Sequence, residues 1–148
     1  MMAGMADVIF TPLYEVLKRR GVRFEFFHKV SKLTLTGDEK NIASIEIDVQ
    51  ATVKGGDQYN PYVDVKDLPC WPDRPNYDQL NEGSKLQGYD LESYYSSWQP
   101  VQTKILTWKA DDVQGDFDLI ILGISIGALP AVAKELIDNK QEWKDMID

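Results

Sequence analysis

The chain has 148 residues, 43% hydrophobic and 11% aromatic, which is enough apolar surface for one folded core and excludes a wholly disordered chain, a collagen repeat or a coiled-coil rod. Sixteen basic against 24 acidic residues leave a net charge of −8, so binding to a phosphate backbone or an anionic membrane is disfavoured and no nucleic-acid partner is expected. Cys70 and His28 are the lone cysteine and histidine, so one chain can build neither an internal disulfide nor a Cys/His zinc site, and no metal is expected. No apolar run is long enough to cross a bilayer, and the opening MMAGMADVIF has neither a basic n-region nor a long apolar one, so the expected setting is cytoplasmic with no membrane span.

In chain order, residues 8–20 predict an amphipathic helix: Ile9, Leu13, Val16 and Leu17 recur at helical spacing, Pro12 suits the first turn and Gly21 suits the left-handed cap. Residues 22–26 alternate Val22, Phe24 and Phe26 with polar neighbours and, running on through 27–30, predict a strand. Strands at 33–36 and 42–53, separated by the polar cluster 37–41, should pair antiparallel, the second with Ile45, Ile47, Val49, Ala51 and Val53 on a packed face. Residues 55–100 hold five of the seven prolines together with Tyr59, Tyr62, Trp71, Tyr77, Tyr89, Tyr94, Tyr95 and Trp98, and show no sustained period. Disordered linkers are poor in aromatics, so this stretch is expected to be an ordered, irregular insertion.

Residues 101–109 predict a strand, and Asp111, Asp112, Gly115 and Asp116 a turn after it. Residues 117–123 are nearly continuously apolar, the pattern of a strand buried on both faces of a parallel sheet; a glycine turn then leads into a helix from Ala128 to Ile137 with Pro130 in its first turn. The Gly123–Gly127 turn offers backbone amides to an anion, but its spacing is neither a Walker loop nor G-x-G-x-x-G, and glycines serve tight packing equally well. No motif supplies His28 with a catalytic partner, and Cys70, between Pro69 and Trp71-Pro72, suits an inert, partly buried thiol.

The run from Ala3 to Phe24, the following meander and Phe117-Asp118-Leu119-Ile120-Ile121-Leu122-Gly123 together resemble the middle of a FAD-dependent amine-oxidase-like or phytoene-desaturase-like oxidoreductase. In that family a helix with L-x-x-x-L-x-x-x-G-V precedes a strand, a meander follows, and a substrate-domain insertion precedes the strand that returns to the FAD-binding sheet. The resemblance implies that Val30 lies on the strand whose backbone faces the adenine and that Gly123 lies where the returning strand passes the cofactor. The family's glycine-rich turn is missing from these residues, and a FAD pyrophosphate needs that turn. FAD is therefore expected in a longer protein and not on this chain alone, whose partner would be the remainder of its own polypeptide; no catalytic residue transfers.

The combined expectation is an α/β (α+β) single domain over residues 1–148 that is a fragment of a larger flavoprotein. It comprises a small mixed sheet with flanking helices, a β-meander and a long irregular aromatic and proline-rich insertion. A non-catalytic module that binds a protein or small ligand through the Tyr/Trp-rich insertion is the alternative from another class, and a small enzyme built on His28 is a third.

Overall fold

The computed structural model describes residues 4–56, 58–110 and 114–148, and it is an α+β fold. The expected turn at Asp111 and Asp112 lies outside the described residues. Contacts gather into two compact units, one of residues 1–27 with 51–89 and one of residues 28–50 with 90–148, so the insertion expected at 55–100 divides between them.

In the first unit a π-helical turn, Ala6–Phe10, runs directly into helix α1, Thr11–Arg19. Pro12 sits in the first turn of α1, where its missing N–H leaves no bond unmade. At the other end Gly21 has φ +87°, and the Gly21 and Val22 amides donate to the Lys18 and Leu17 carbonyls, a paired closure that a β-carbon would strain. The predicted helix is therefore present, but its faces are exchanged. Thr11 and Tyr14 are its buried residues, whereas Ile9, Leu13 and Val16 of the aliphatic stripe are exposed.

Residues 22–26 do not form the predicted strand. Alternation alone does not make a ladder without a neighbouring backbone, and here Phe24 and Phe26 instead pack their rings on Tyr14, Tyr59 and Trp71. The rest of this unit is less irregular than its composition suggests: it holds a hairpin of β3, Val63–Val65, and β4, Leu68–Cys70, and a short helix α2, Gly83–Leu86. Leu80 and Leu86 are fully buried. Glu82 fastens the segment by accepting from the Thr52 amide at 2.8 Å and from the Thr52 hydroxyl.

The second unit is a three-stranded sheet in the order β1–β2–β5, with β1 His28–Leu35, β2 Ile42–Val49 and β5 Gln102–Thr107. The expected pairing of the first two strands is present, with β1 longer and β2 shorter than predicted. Two register shifts decide which side chains meet the core. A bulge between Val30 and Lys32 leaves Ser31 unpaired, so Val30, Leu33 and Leu35 all reach the apolar cluster despite their uneven spacing; a second shift after Thr34 does the same for Ile42 and Ile45. Ser31 turns its hydroxyl to the carbonyl and carboxylate of Glu46.

Helices α3 Leu129–Val132, α4 Lys134–Asn139 and α5 Gln141–Ile147 supply the other half of this core. Leu129, Val132, Ala133 and Leu136 meet Leu33, with Leu122, Ile124, Trp143 and Ile147 packed around them. The single helix predicted from Ala128 to Ile137 is broken at Ala133, whose φ and ψ of −108° and 28° leave the helical region, although the apolar spacing survives the break.

Residues 117–123 correct the prediction most sharply. They form no strand of either sheet; the parallel contact is one isolated bridge, Trp108 to Phe117, and both sheets are antiparallel where a mixed sheet was expected. Parallel pairing needs a neighbouring strand in register, and among the described residues there is none.

Candidate functional site

The two positions expected to line a cofactor site both belong to the second unit. Val30 lies on β1 opposite Ile47, and its side chain packs against the helical core. Only its backbone is left for a ligand, and β1 is an outer strand of its sheet, so one side of that backbone has no strand neighbour. Gly123 is exposed, and a β-carbon there would meet nothing within 4 Å. Its neighbours Leu122 and Ile124 pack on the same cluster as Val30, so this core gathers Val30 and the flanks of Gly123.

Around Gly123 the chain has a two-residue period of exposure. Leu119, Ile121, Gly123 and Ser125 face out, and Ile120, Leu122 and Ile124 are half-buried. Leu119 is 80% exposed and Ile121 is 90% exposed. Among the described residues, no protein group hydrogen-bonds to the backbone of 119–124. The segment is anchored at its start, where Asp116 accepts from the Thr107 amide at 2.8 Å and from its hydroxyl, and where the Lys109 amide donates to the Phe117 carbonyl at 2.7 Å. A short 3-10 turn and the four-residue α3 follow the Gly123–Gly127 stretch, too little helix for its dipole to hold an anion.

The aromatic residues of the first unit form the second candidate. Tyr14 stands at the centre, with ring centroids at 4.5 Å to Phe24, 5.6 Å to Tyr62 and 5.7 Å to Trp71, and Tyr62 meets Trp71 edge-on at 5.1 Å. Tyr59 continues the cluster to Phe26 and Phe27, and its hydroxyl accepts from the Asn76 amide at 2.8 Å. Such edge-on and tilted contacts each contribute about 0.5–1.5 kcal/mol beyond the area they bury.

Two polar atoms within this cluster, Tyr62 Oη and Trp71 Nε1, are buried without a hydrogen-bond partner. Burial, reinforced by the charge of Glu15, pushes the Tyr62 phenol up to about 12. Burial also raises the Tyr14 phenol and, with Asp7 beside it, the Cys70 thiol. Asp7 in addition accepts from the Trp71 amide at 3.1 Å, which ties the first helical turn to the end of β4. Cys70 is thus a protonated, partly buried thiol, as its sequence setting predicts, and not an activated nucleophile.

Tyr62 and Trp71 belong to the set singled out from composition. Tyr14, Glu15 and Asp7 do not; the signal for Tyr14 was an aromatic ring on a helix whose other apolar positions are aliphatic. His28 Nε2 lies 3.1 Å from Lys104 Nζ on an exposed surface, and in this contact the ammonium donates to the ring nitrogen. Among the described residues no group of three or more His, Cys, Asp or Glu side chains could hold a metal ion, and no helix is long and apolar enough to cross a membrane. Comparison of the chain with protein-family models, with curated proteins and with solved structures finds no match.

Proposed function

We propose that the chain is part of a FAD-dependent, amine-oxidase-like oxidoreductase, forming one flank of the cofactor site and part of the substrate or interdomain wall, and inactive alone. The observation that carries the reading is the bare, alternating apolar segment at 119–124. Leu122 and Ile124 pack on the helical cluster, while Leu119 and Ile121 are exposed and, among the described residues, the backbone of 119–124 has no protein hydrogen-bond partner. A buried parallel strand deprived of its sheet would have this character, since burying the two side chains would contribute about 1.5–3 kcal/mol each. The exposed aliphatic stripe of Ile9 in the π-helical turn and Leu13 and Val16 on α1 supports the same reading independently, because an amphipathic helix in a complete domain turns such a stripe inward.

In this proposal Val30 offers backbone groups toward the adenine and Gly123 lets the returning strand pass the cofactor closely. When bound, the flavin would accept the hydride, and this chain's residues would orient and enclose it. The test is a paired absorbance spectrum of the 148-residue chain and of the longest polypeptide its reading frame encodes. Flavin absorbance in the longer form alone supports the proposal, and a colourless longer form overturns it.

A second reading, a non-catalytic module that takes a protein or small ligand at the aromatic cluster, is favoured by one observation. Tyr62 Oη and Trp71 Nε1 are both without partners, and a ligand oxygen between them would relieve a cost of about 1–3 kcal/mol per group. Under this reading Trp71→Phe abolishes ligand capture by the isolated chain while the fold persists; retained capture counts against it.

A further inference from the structure

We infer that residues 117–124 are a self-pairing strand, through which two copies of this chain associate antiparallel when nothing else covers the segment. The backbone chemistry selects the kind of occupant: a run of N–H and C=O groups at 119–124 without protein partners is satisfied along its length by another strand, not by a helix or a compact ligand. Charge selects which strand. Copies of a chain with net charge −8 repel one another over most of their surface, yet residues 119–133 carry no ionisable side chain, so like meets like there without repulsion.

Geometry makes the contact self-complementary. In a two-fold antiparallel pair centred on Ile121, Leu119 of one copy faces Gly123 of the other, where the absent β-carbon leaves open space, and Ile121 faces its own counterpart. Asp118 falls at the edge of the pair, with its carboxylate 4.0 Å from Lys109 Nζ of its own copy, so no unpaired charge is buried.

The area sets the strength. Leu119 and Ile121 together offer on the order of 300 Å² per copy, against roughly 800 Å² per partner in a stable complex, so the dimer is weak and concentration-dependent. Added salt strengthens it by screening the net charge. The inference uses only the isolated chain and is independent of the flavoprotein reading.

Sedimentation velocity over about a hundredfold range of concentration, paired with amide hydrogen exchange, tests it. The expected result is a shift from monomer to dimer with added protection at 119–123. Ile121→Lys and Leu119→Lys, at exposed positions that should not disturb the fold, each remove both effects. Ile105→Lys, on the outer strand β5, leaves both in place. A chain monomeric throughout overturns the inference. So does association that survives Ile121→Lys or is lost in Ile105→Lys, which would move the contact to the sheet edge.

Discussion

The two units are held by different physics. The sheet-and-helix unit is closed by aliphatic side chains, Leu33, Leu129, Val132 and Leu136, delivered by regular elements whose register decides which residues meet. The aromatic unit has little regular structure beyond α1, and its rings come from four separated places: Tyr14, Phe24 with Phe26, Tyr59 with Tyr62, and Trp71. Aliphatic cores reward shape, so a methylene lost leaves a cavity. Aromatic clusters built from loops also carry polar tips, and Tyr62 and Trp71 show that not every tip finds a partner.

Five substitutions at four positions sharpen this contrast. Leu33→Ala, at a 2%-exposed position, should cost about 2–5 kcal/mol in urea unfolding, whereas Leu33→Met should cost less than about 1.5 kcal/mol. Equal losses would mean that shape does not govern the sheet unit. In the aromatic unit the sharpest steric constraint is Gly83, where a β-carbon would collide with the Tyr77 carbonyl; Gly83→Ala should destabilise by about 1–3 kcal/mol and lower the melting temperature.

Tyr62→Phe should behave in the opposite way to a core truncation. It removes a buried hydroxyl that makes no well-formed hydrogen bond, its nearest polar influence being the Glu15 carboxylate, so stability at neutral pH should change by less than about 1 kcal/mol. The same residue sets a pH dependence. Its folded pKa, about 12, lies above the ordinary tyrosine value of 10.0, so its contribution is fully present below pH 10.0 and is lost as pH rises from there through about 12. An alkaline unfolding curve should show this loss in the parent chain and less of it in Tyr62→Phe; identical curves would remove Tyr62 from the account. The smallest effect is expected at the cap of α1, where Gly21→Ala should cost about 1 kcal/mol because φ there is +87°.

What the amino-acid pattern made legible was local. Pro12 and Gly21 mark the ends of α1, and the 37–41 cluster closes the β1–β2 hairpin with the Thr36 amide donating to the Asn41 carbonyl at 2.9 Å. What it left illegible depends on partners distant in sequence. The Ser31 bulge breaks the period that would have assigned the faces of β1, and the aromatic cluster has no period at all. Alternation at 22–26 and apolarity at 117–123 both describe segments able to be strands, but a ladder also needs a paired strand in register, and among the described residues neither segment joins a sheet. Val30 and Gly123 came from resemblance; packing puts Val30 and the neighbours of Gly123 on one core, a relation that no local pattern contains.

The central claim is that the outward face of residues 119–124 is the missing half of a buried strand. Amide hydrogen exchange at those six positions tests it most directly, measured at high dilution in the 148-residue chain and in the longest polypeptide of its reading frame. The account predicts rapid exchange in the chain alone and strong protection in the longer protein. Equally rapid exchange in both would contradict it.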